Sequence, residues 1–153
     1  MTRRTIDGIA GLEALTGQPL GHSDWLEITQ DRVDLFADAT LDHQWIHVDT
    51  DRAKAESPFG GPIAHGYLTL SLLPHFLDQI VEVDGVAMAI NYGLNRLRYP
   101  APVPVGARLR LGVVLASCEP IPGGVQVQLD CSVEIDGAAK PALVAEVVFR
   151  YYA

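Results

Sequence analysis

Cysteine, basic residues and long apolar runs are all scarce in this sequence, and each scarcity excludes a class of protein. The two cysteines among 153 residues, Cys118 and Cys131, are too few for a disulfide-stapled scaffold and lack the spacing of metal ligands. We expect both to be reduced thiols. Only 11 basic residues face 19 acidic ones, for a net charge of −8 at pH 7. An acidic balance of this kind excludes non-specific binding to nucleic acid.

Apolar segments are also too short for a membrane protein. No run approaches the ~18 residues that a spanning helix needs, and the basic start at Arg3 and Arg4 is not followed by the apolar stretch of a secretory signal. We therefore expect a cytoplasmic protein without membrane contact. Apolar residues make up 48% of the chain and charged residues 20%, which is typical of one packed domain over residues 1–153.

The C-terminal half alternates apolar and polar residues with a period of two, the pattern of a sheet that keeps one face in water. The clearest stretch covers residues 125–136. Similar stretches cover 86–99, 107–113 and 143–151, and turn signals stand at Gly123–Gly124 and Asp136–Gly137. The sequence therefore predicts an antiparallel meander of three or four consecutive strands.

The N-terminal half has helical periodicity instead. Apolar residues at helix-like intervals behind a Thr29 cap predict a helix over 29–40, with a short strand over 24–28 before it. Apolar positions over 65–80 surround the whole circumference of a helix, which predicts burial on nearly all sides. Pro74 removes a hydrogen bond from that helix, so we expect a kink or a break there.

A buried helix and a sheet with one wet face have few packing solutions, and the simplest one wraps the sheet around the helix. The expected fold class is therefore α+β, in the arrangement of the hotdog fold, an antiparallel sheet around a buried central helix. Such a sheet has exposed edges, which proteins rarely leave unpaired. The fold thus favours a partner at an edge strand.

Two linked segments carry the residues suited to chemistry. Residues 36–49 read FADATLDHQWIHVD and place Asp42 and His47 in a D-x4-H pair; residues 59–68 read FGGPIAHGYL and contain F-x-x-P-I-A-H-G, which ends at Gly66. At this spacing a carboxylate and an imidazole lie on different sides of a regular helix. They can share one water only if the segment between them is irregular.

Together these segments closely resemble the MaoC-like family of (R)-specific enoyl-CoA hydratases and dehydratases, including its nodulation-protein-N-like branch. The match is strongest over residues 36–73 and continues more loosely through the proline-rich turn at 100–106. The resemblance implies hydration of trans-2-enoyl-CoA to (3R)-hydroxyacyl-CoA, or the reverse dehydration. It also implies an acyl-CoA thioester substrate, no cofactor and no metal, and a homodimer with the acyl pocket near the subunit interface.

The resemblance makes Asp42 and His47 the catalytic pair. Adding water to an α,β-unsaturated thioester requires a base for the water and an acid for the α-carbon, and the spacing leaves open which residue does which. Gly66 takes the role of backbone donor to the thioester oxygen, since the start of a helix carries free N–H groups. Four residues are expected to contact substrate: His65, Ile63, Tyr67 and Trp45. His65 is also expected to brace the loop.

The sequence departs from the family pattern close to these residues. Many members have S-G-D-x-N-P-x-H, whereas this chain has Leu41 before the Asp and Gln44-Trp45 in place of Asn-Pro. Some hydratases of the family support the site with a serine where this chain has Pro74. A non-catalytic acyl-CoA-binding protein, in which the site has drifted, is therefore an alternative.

Two further alternatives stay open. Hotdog acyl-CoA thioesterases commonly carry a carboxylate on the central helix, and none occurs between Gly66 and Leu77. A metal site is conceivable because His43 and His47 would share one face of a regular helix, but it needs that helix and a third ligand. Four arginines on the predicted strands are interpreted as part of a solvated sheet face, with contacts to CoA phosphates as the alternative: Arg96, Arg98, Arg108 and Arg110.

Overall fold

The computed structural model describes residues 2–153, which form six helices and eight strands. No helix in that part of the chain is long and apolar enough to cross a membrane. In chain order the elements are β1 (Arg4–Asp7), α1 (Gly8–Ala14), β2 (Pro19–His22), β3 (Leu26–Glu27), α2 (Gln30–Thr40), α3 (Trp45–Val48), α4 (Thr50–Glu56), α5 (Gly66–Ser71), α6 (Leu73–Ile80), β4 (Val81–Asp84), β5 (Met88–Arg98), β6 (Arg108–Ile121), β7 (Gly124–Ile135) and β8 (Leu143–Tyr152).

The main sheet is antiparallel and has the strand order β2-β6-β7-β8-β5, with β3 paired to β6 beside β2. The expected meander is confirmed for β6, β7 and β8. The fourth strand, β5, does not join it in sequence order, because β2 and β3 occupy the free side of β6 and β5 pairs with β8 instead. Strands β1 and β4 form a separate parallel pair.

The predicted strands lie at the expected positions, but their lengths differ from the predictions. The strand expected over 107–113 continues to Ile121 as β6, and its hairpin to β7 closes at Pro122 and Gly123. Gly123 has a φ of +80° there, a value that a glycine adopts without strain. The short strand expected over 24–28 is reduced to Leu26–Glu27.

The predicted α+β hotdog arrangement is confirmed. Alternate side chains of β6, β7 and β8 are buried, and they form one apolar cluster with the buried residues of α5 and α6. Phe76 on α6 is fully buried in this cluster, and Leu68 on α5 is 5% exposed. The sheet therefore curls around these two helices, and the start of α5 is fixed relative to the sheet.

The central helix is broken, as Pro74 predicts. Helix α5 ends at Ser71, and α6 begins at Leu73, with Pro74 in its first turn. A proline is tolerated in a first turn because the N–H that it lacks would have no intrahelical acceptor. The proline thus starts a second helix and does not interrupt a single long one.

Burial of the central helix on nearly all sides is wrong for the single chain. Tyr67, Ser71, Pro74 and Asp78 lie one helical turn apart and are all exposed. The sheet covers only the opposite side of the helices. Its edge strand, β5, lies next to this stripe and does not cover it. A groove of about 430 Å³ separates β5 from the helices.

Helix α2 ends in an unusual conformation that shapes the segment after it. The Thr29 side chain accepts a hydrogen bond from the Arg32 N–H at the start, which confirms the predicted cap. At the other end Leu41 has a φ of +63° and a ψ of +22°, in the left-handed region. That region costs a residue with a side chain about 1–2 kcal/mol. The glycine common in the family at this position would avoid that cost.

We expect Leu41→Asn to raise the free energy of unfolding by about 0.5–1 kcal/mol, because asparagine tolerates the left-handed region better than leucine. The leucine side chain is 82% exposed, so little packing is lost. Urea unfolding measures the change. Leu41→Ala keeps the backbone strain and serves as the control, with stability close to that of the wild type. A loss above about 1 kcal/mol in both variants would contradict the strain argument.

Candidate active site

Asp42 stands in an irregular segment between α2 and α3, which is the condition for meeting His47. The left-handed turn at Leu41 redirects the chain, and residues 42–44 are not helical. The Asp42 Oδ1 accepts a hydrogen bond of 3.3 Å from the Gln44 N–H, and the side chain is 51% exposed. One carboxylate oxygen is therefore tied to the backbone, while the other, Oδ2, lies 4.0 Å from the His65 Nε2.

His47 lies on the short helix α3 and is buried, with 7% of its surface exposed. Its Nδ1 lies 2.7 Å from the Ile63 carbonyl oxygen. A carbonyl oxygen only accepts, so Nδ1 must carry the proton and donate it. In the neutral ring Nε2 is then left with a free lone pair, which is the form that can take a proton from water.

The Asp42 and His47 side chains meet across a short gap. A carboxylate oxygen of Asp42, a ring nitrogen of His47 and a ring nitrogen of His65 all lie within 4.8 Å of one another. A single water can hydrogen-bond to two groups at such a separation. The irregular segment over residues 42–44 thus meets the condition that the spacing of the pair sets, and it brings the two side chains together.

His65 braces the loop that carries Asp42, as expected. Its ring stacks on the His47 ring with the centroids 3.9 Å apart, and it packs against Phe36 at 4.9 Å. Its Nε2 donates a hydrogen bond of 3.0 Å to the Asp42 carbonyl oxygen, whereas its Nδ1 has no hydrogen-bond partner in the described part of the chain. The buried His65 therefore fixes both the ring of His47 and the backbone of Asp42.

Burial lowers the pKa of His47 below its ordinary value of 6.5. The hydrogen bond to Ile63 raises the pKa, neighbouring His65 lowers it, and Asp42 raises it, each by less than the effect of burial. Desolvation penalises the charged imidazolium, which explains the direction of the shift. At neutral pH the ring is therefore mainly neutral.

Gly66 is the first residue of α5, and its N–H has no acceptor among the described residues. A Cβ placed on Gly66 would lie 3.0 Å from Cε1 and Cζ of Tyr99 and 3.2 Å from Cε2. Such distances are shorter than ordinary carbon contacts. A side chain here would therefore push the Tyr99 ring, whereas the backbone conformation does not favour glycine, since its φ is not in the left-handed region.

Sequence reasoning missed two residues of the site. The Gln30 Nε2 donates to the His47 carbonyl oxygen at 2.8 Å and to Asp34 Oδ1 at 2.9 Å, so it ties α2 to α3. Tyr99 lies against Gly66 although it follows β5, far along the chain. No local pattern marks Gln30, and the proline-rich turn beginning at Pro100 was the only signal near Tyr99.

The residues expected to contact substrate have mixed environments. The Ile63 carbonyl holds His47, and Tyr67 is 69% exposed on α5. Trp45 starts α3 and is half-buried, with the Arg52 guanidinium 4.2 Å from its ring centroid. Substrate contact by Ile63, Tyr67, Trp45 and buried His65 stays a prediction.

The metal interpretation based on His43 and His47 is wrong. His43 is exposed and its Nε2 lies 2.9 Å from Asp38 Oδ1, outside the group formed by Asp42, His47 and His65. In that group each imidazole has one nitrogen on a backbone carbonyl, and the stacked rings are inclined by only 25°. Their lone pairs therefore do not converge on one point, as tetrahedral metal ligands do.

Two of the four sheet arginines are confirmed as a paired, solvated face. Arg110 Nε lies 2.6 Å from Glu134 Oε2, and Arg108 pairs with Asp136. Both guanidinium groups also lie over Trp25. Arg96 and Arg98 have no carboxylate partner among residues 2–153, so a contact to CoA phosphate stays a prediction for these two.

Both cysteines are free, as expected. Cys131 is buried on β7, and burial raises the pKa of its thiol to about 12. Cys118 on β6 is half-buried, and burial raises the pKa of its thiol as well. Neither thiol is a nucleophile at neutral pH, because the thiolate is the reactive form.

Comparison with known proteins places these residues in context. A family described as MaoC like domain matches residues 12–134. The chain is 54% identical over 151 residues to 3-hydroxyacyl-thioester dehydratase Z of Mycobacterium tuberculosis, covering 98% of this chain and 99% of that protein. It is 45% identical over 139 residues to Nodulation protein N of Rhizobium leguminosarum bv. viciae, covering 90% and 86%. The sequence resemblance to this branch is thereby confirmed.

A solved structure has the same fold. The (R)-hydratase from A. caviae involved in PHA biosynthesis aligns with a TM-score of 0.72 at 25% sequence identity, covering 88% of this chain and 94% of that one. The likeness extends over most of both chains. It agrees with an antiparallel sheet packed around α5 and α6.

Proposed function

This chain belongs to the MaoC-like domain family, and on that basis we propose that it is an (R)-specific enoyl-CoA hydratase, or the 3-hydroxyacyl-CoA dehydratase that runs the same reaction in reverse. It would act as a single domain in the cytoplasm. The observations that carry the proposal are the short gap between the Asp42 carboxylate and the buried His47 imidazole, and the unpaired N–H of Gly66, which directly follows His65 of the same group. The dehydratase name of the mycobacterial relative supports the reaction class.

The reaction needs one water between Asp42 and His47. As its oxygen bonds to the β-carbon of the enoyl thioester, His47 Nε2 takes the proton that the water loses. The pair returns one proton to the α-carbon on the same face, so one O–H bond and the C=C π bond break while one C–O and one C–H bond form. Asp42 orients the water and stabilises the imidazolium by its charge.

The thioester oxygen gains negative charge during this addition and requires a donor. We assign that role to the free Gly66 N–H, because its hydrogen atom has no competing acceptor in the described residues. A fixed donor stabilises the developing charge without reorganising. No metal or cofactor takes part in the proposed reaction.

The direct test is hydration of trans-2-enoyl-CoA by the purified protein, followed as loss of the absorbance of the conjugated thioester. Chiral analysis of the product should show the (3R)-hydroxyacyl-CoA. Release of free thiol without hydration would instead identify a thioesterase. Tight acyl-CoA binding without turnover over many chain lengths would identify a non-catalytic binding protein, and either result would defeat the proposal.

The pH profile tests the assignment of the base. Because burial lowers the pKa of His47, we expect kcat/KM to rise with pH through a midpoint below 6.5, as the imidazolium loses its proton. His43→Gln, which changes an exposed ring, should keep the same midpoint. If kcat/KM falls as pH rises through that region, the imidazolium is the required form and His47 is the acid.

We also propose that the protein is a homodimer joined through β5. This strand is the last of the sheet, so its outer backbone groups have no neighbouring strand among residues 2–153. Two of its exposed apolar residues, Tyr92 and Leu94, line the groove beside the exposed stripe of the central helix. Met88 and Ile90 are further exposed apolar residues on the same strand. A second copy would cover both surfaces and complete the burial of the helix that the sequence predicts.

We expect Leu94→Glu to shift the protein from dimer to monomer, because a carboxylate within an apolar interface loses its hydration. Light scattering coupled to size exclusion measures the mass. Leu35→Glu is the matched control, since Leu35 is an exposed residue on α2, away from β5. A wild type that is monomeric, or a Leu94→Glu variant that stays dimeric, would contradict this interface.

A further inference from the structure

Tyr99 contacts Gly66 through the end of the ring that carries the hydroxyl. The ring atoms nearest to the missing Cβ are Cζ and the two Cε carbons, at 3.0–3.2 Å. The hydroxyl oxygen is bonded to Cζ, so the phenol group itself lies at the mouth of the central helix. The contact therefore brings a second hydrogen-bond donor, the Tyr99 hydroxyl, close to Gly66 and its free N–H.

The Tyr99 ring is held in this place from both sides. It follows directly on β5, which is paired along its length with β8. After it the chain is tied to the loop before α5 by two backbone hydrogen bonds, Ala64 N–H to the Val103 oxygen at 2.8 Å and Val105 N–H to the Pro62 oxygen at 3.0 Å. These ties fix Tyr99 and Gly66 relative to each other.

The Tyr99 hydroxyl has no hydrogen-bond partner among residues 2–153, and the residue is 42% exposed, so an acceptor oxygen from solvent or substrate can reach it. Burial, and to a smaller extent neighbouring Tyr67, raises the pKa of Tyr99 above its ordinary value of 10.0. The group therefore keeps its proton at neutral pH and is a donor. An unpaired donor held against a second unpaired donor is suited to one shared acceptor oxygen.

We infer that the Tyr99 hydroxyl is a catalytic group of this site, donating a hydrogen bond to the thioester carbonyl oxygen together with the Gly66 N–H. The inference rests on the proposed hydration reaction and adds a residue to it. As charge moves from the attacking water onto the carbonyl oxygen, two donors share it, and both return to their resting state when the α-carbon is protonated. No bond to Tyr99 forms or breaks.

The kinetic test compares wild type, Tyr99→Phe and Tyr152→Phe in enoyl-CoA hydration. Phenylalanine keeps the ring against Gly66 and removes only the hydroxyl. We expect Tyr99→Phe to lower kcat by about 10- to 100-fold, with KM changed by less than about threefold, since the Gly66 donor remains. Tyr152→Phe deletes the same atom at the end of β8 and should behave as wild type.

A spectroscopic test separates a donor from a structural support. In an Asp42→Asn background, which we expect to turn over slowly enough for the complex to be observed, bound 2,4-hexadienoyl-CoA absorbs at longer wavelength when donors polarise its carbonyl. Adding Tyr99→Phe should reduce that shift, whereas adding Tyr152→Phe should not. A lower kcat with an unchanged shift would overturn the donor role.

The outcomes distinguish this inference from the proposed function. Hydration at the wild-type rate by Tyr99→Phe would overturn the role of Tyr99 and leave the hydratase proposal intact. A wild type that hydrates no enoyl-CoA would overturn both. A lower kcat together with a smaller spectral shift would support both.

Discussion

Asp42→Asn and His47→Gln should each lower kcat for enoyl-CoA hydration by about 10²- to 10⁴-fold, the range associated with loss of a general acid or base. Asparagine retains an oxygen that can accept from the Gln44 N–H but has no charge to orient water or stabilise an imidazolium. Glutamine can still donate to the Ile63 oxygen, yet it cannot take a proton. Steady-state kinetics measure both variants.

Thermal unfolding of both variants shows that each is folded, so that a loss of rate reports on chemistry. Asp38→Asn is the matched control, because this carboxylate is exposed and pairs with His43 outside the site. The double variant should be no slower than the slower single variant, since the two groups act as one unit. Normal turnover by both folded single variants would remove Asp42 and His47 from the mechanism.

Gly66→Ala should lower kcat by about 10²- to 10³-fold, the range for loss of an oxyanion donor. Alanine keeps the N–H, but its methyl group crowds the place of the thioester oxygen. The new methyl group would stand 3.0 Å from the Tyr99 ring. Either the ring moves away or the thioester oxygen is held farther from the donor. The free energy of unfolding should change little. The higher helix propensity of alanine stabilises α5, which offsets the crowding of the Tyr99 ring by the methyl group.

Gly61→Ala is the matched control for this substitution. It lies in the same loop, its φ is not left-handed, and a Cβ there meets no atom within 4 Å. Thermal unfolding of both variants shows that each is folded, and hydration kinetics then compare them. A Gly66→Ala enzyme with kcat/KM within about twofold of wild type would contradict the oxyanion assignment.

The local elements could be predicted because their causes are local. Thr29 caps α2 through its own hydroxyl, and Pro74 separates two helices because of its missing N–H. Alternation over 125–136 identified β7, since one face of a strand must be dry. The motif around Asp42 and Gly66 likewise identified the family, because its residues stand close together in the sequence.

Contacts between distant segments could not be predicted in this way. The pairing of β5 with β8 depends on β2 and β3 already occupying β6. The exposed stripe at Tyr67 and Pro74 depends on where the sheet ends, whereas the sequence indicated only an apolar helix. The periodicity of apolar residues in a sequence shows which sides of a helix or strand are apolar, but it does not show which other element covers each side.

The sequence by itself determined the strands, the helix caps, the break at Pro74 and the residue types of the Asp42–His47 pair, because propensity and periodicity act over a few neighbouring residues. Only the tertiary structure decided the short gap between that pair, the His65 ring stacked beneath it and the Tyr99 hydroxyl beside Gly66. Those arrangements arise when separate segments pack around one core. Packing depends on shapes and distances in three dimensions that no stretch of sequence contains.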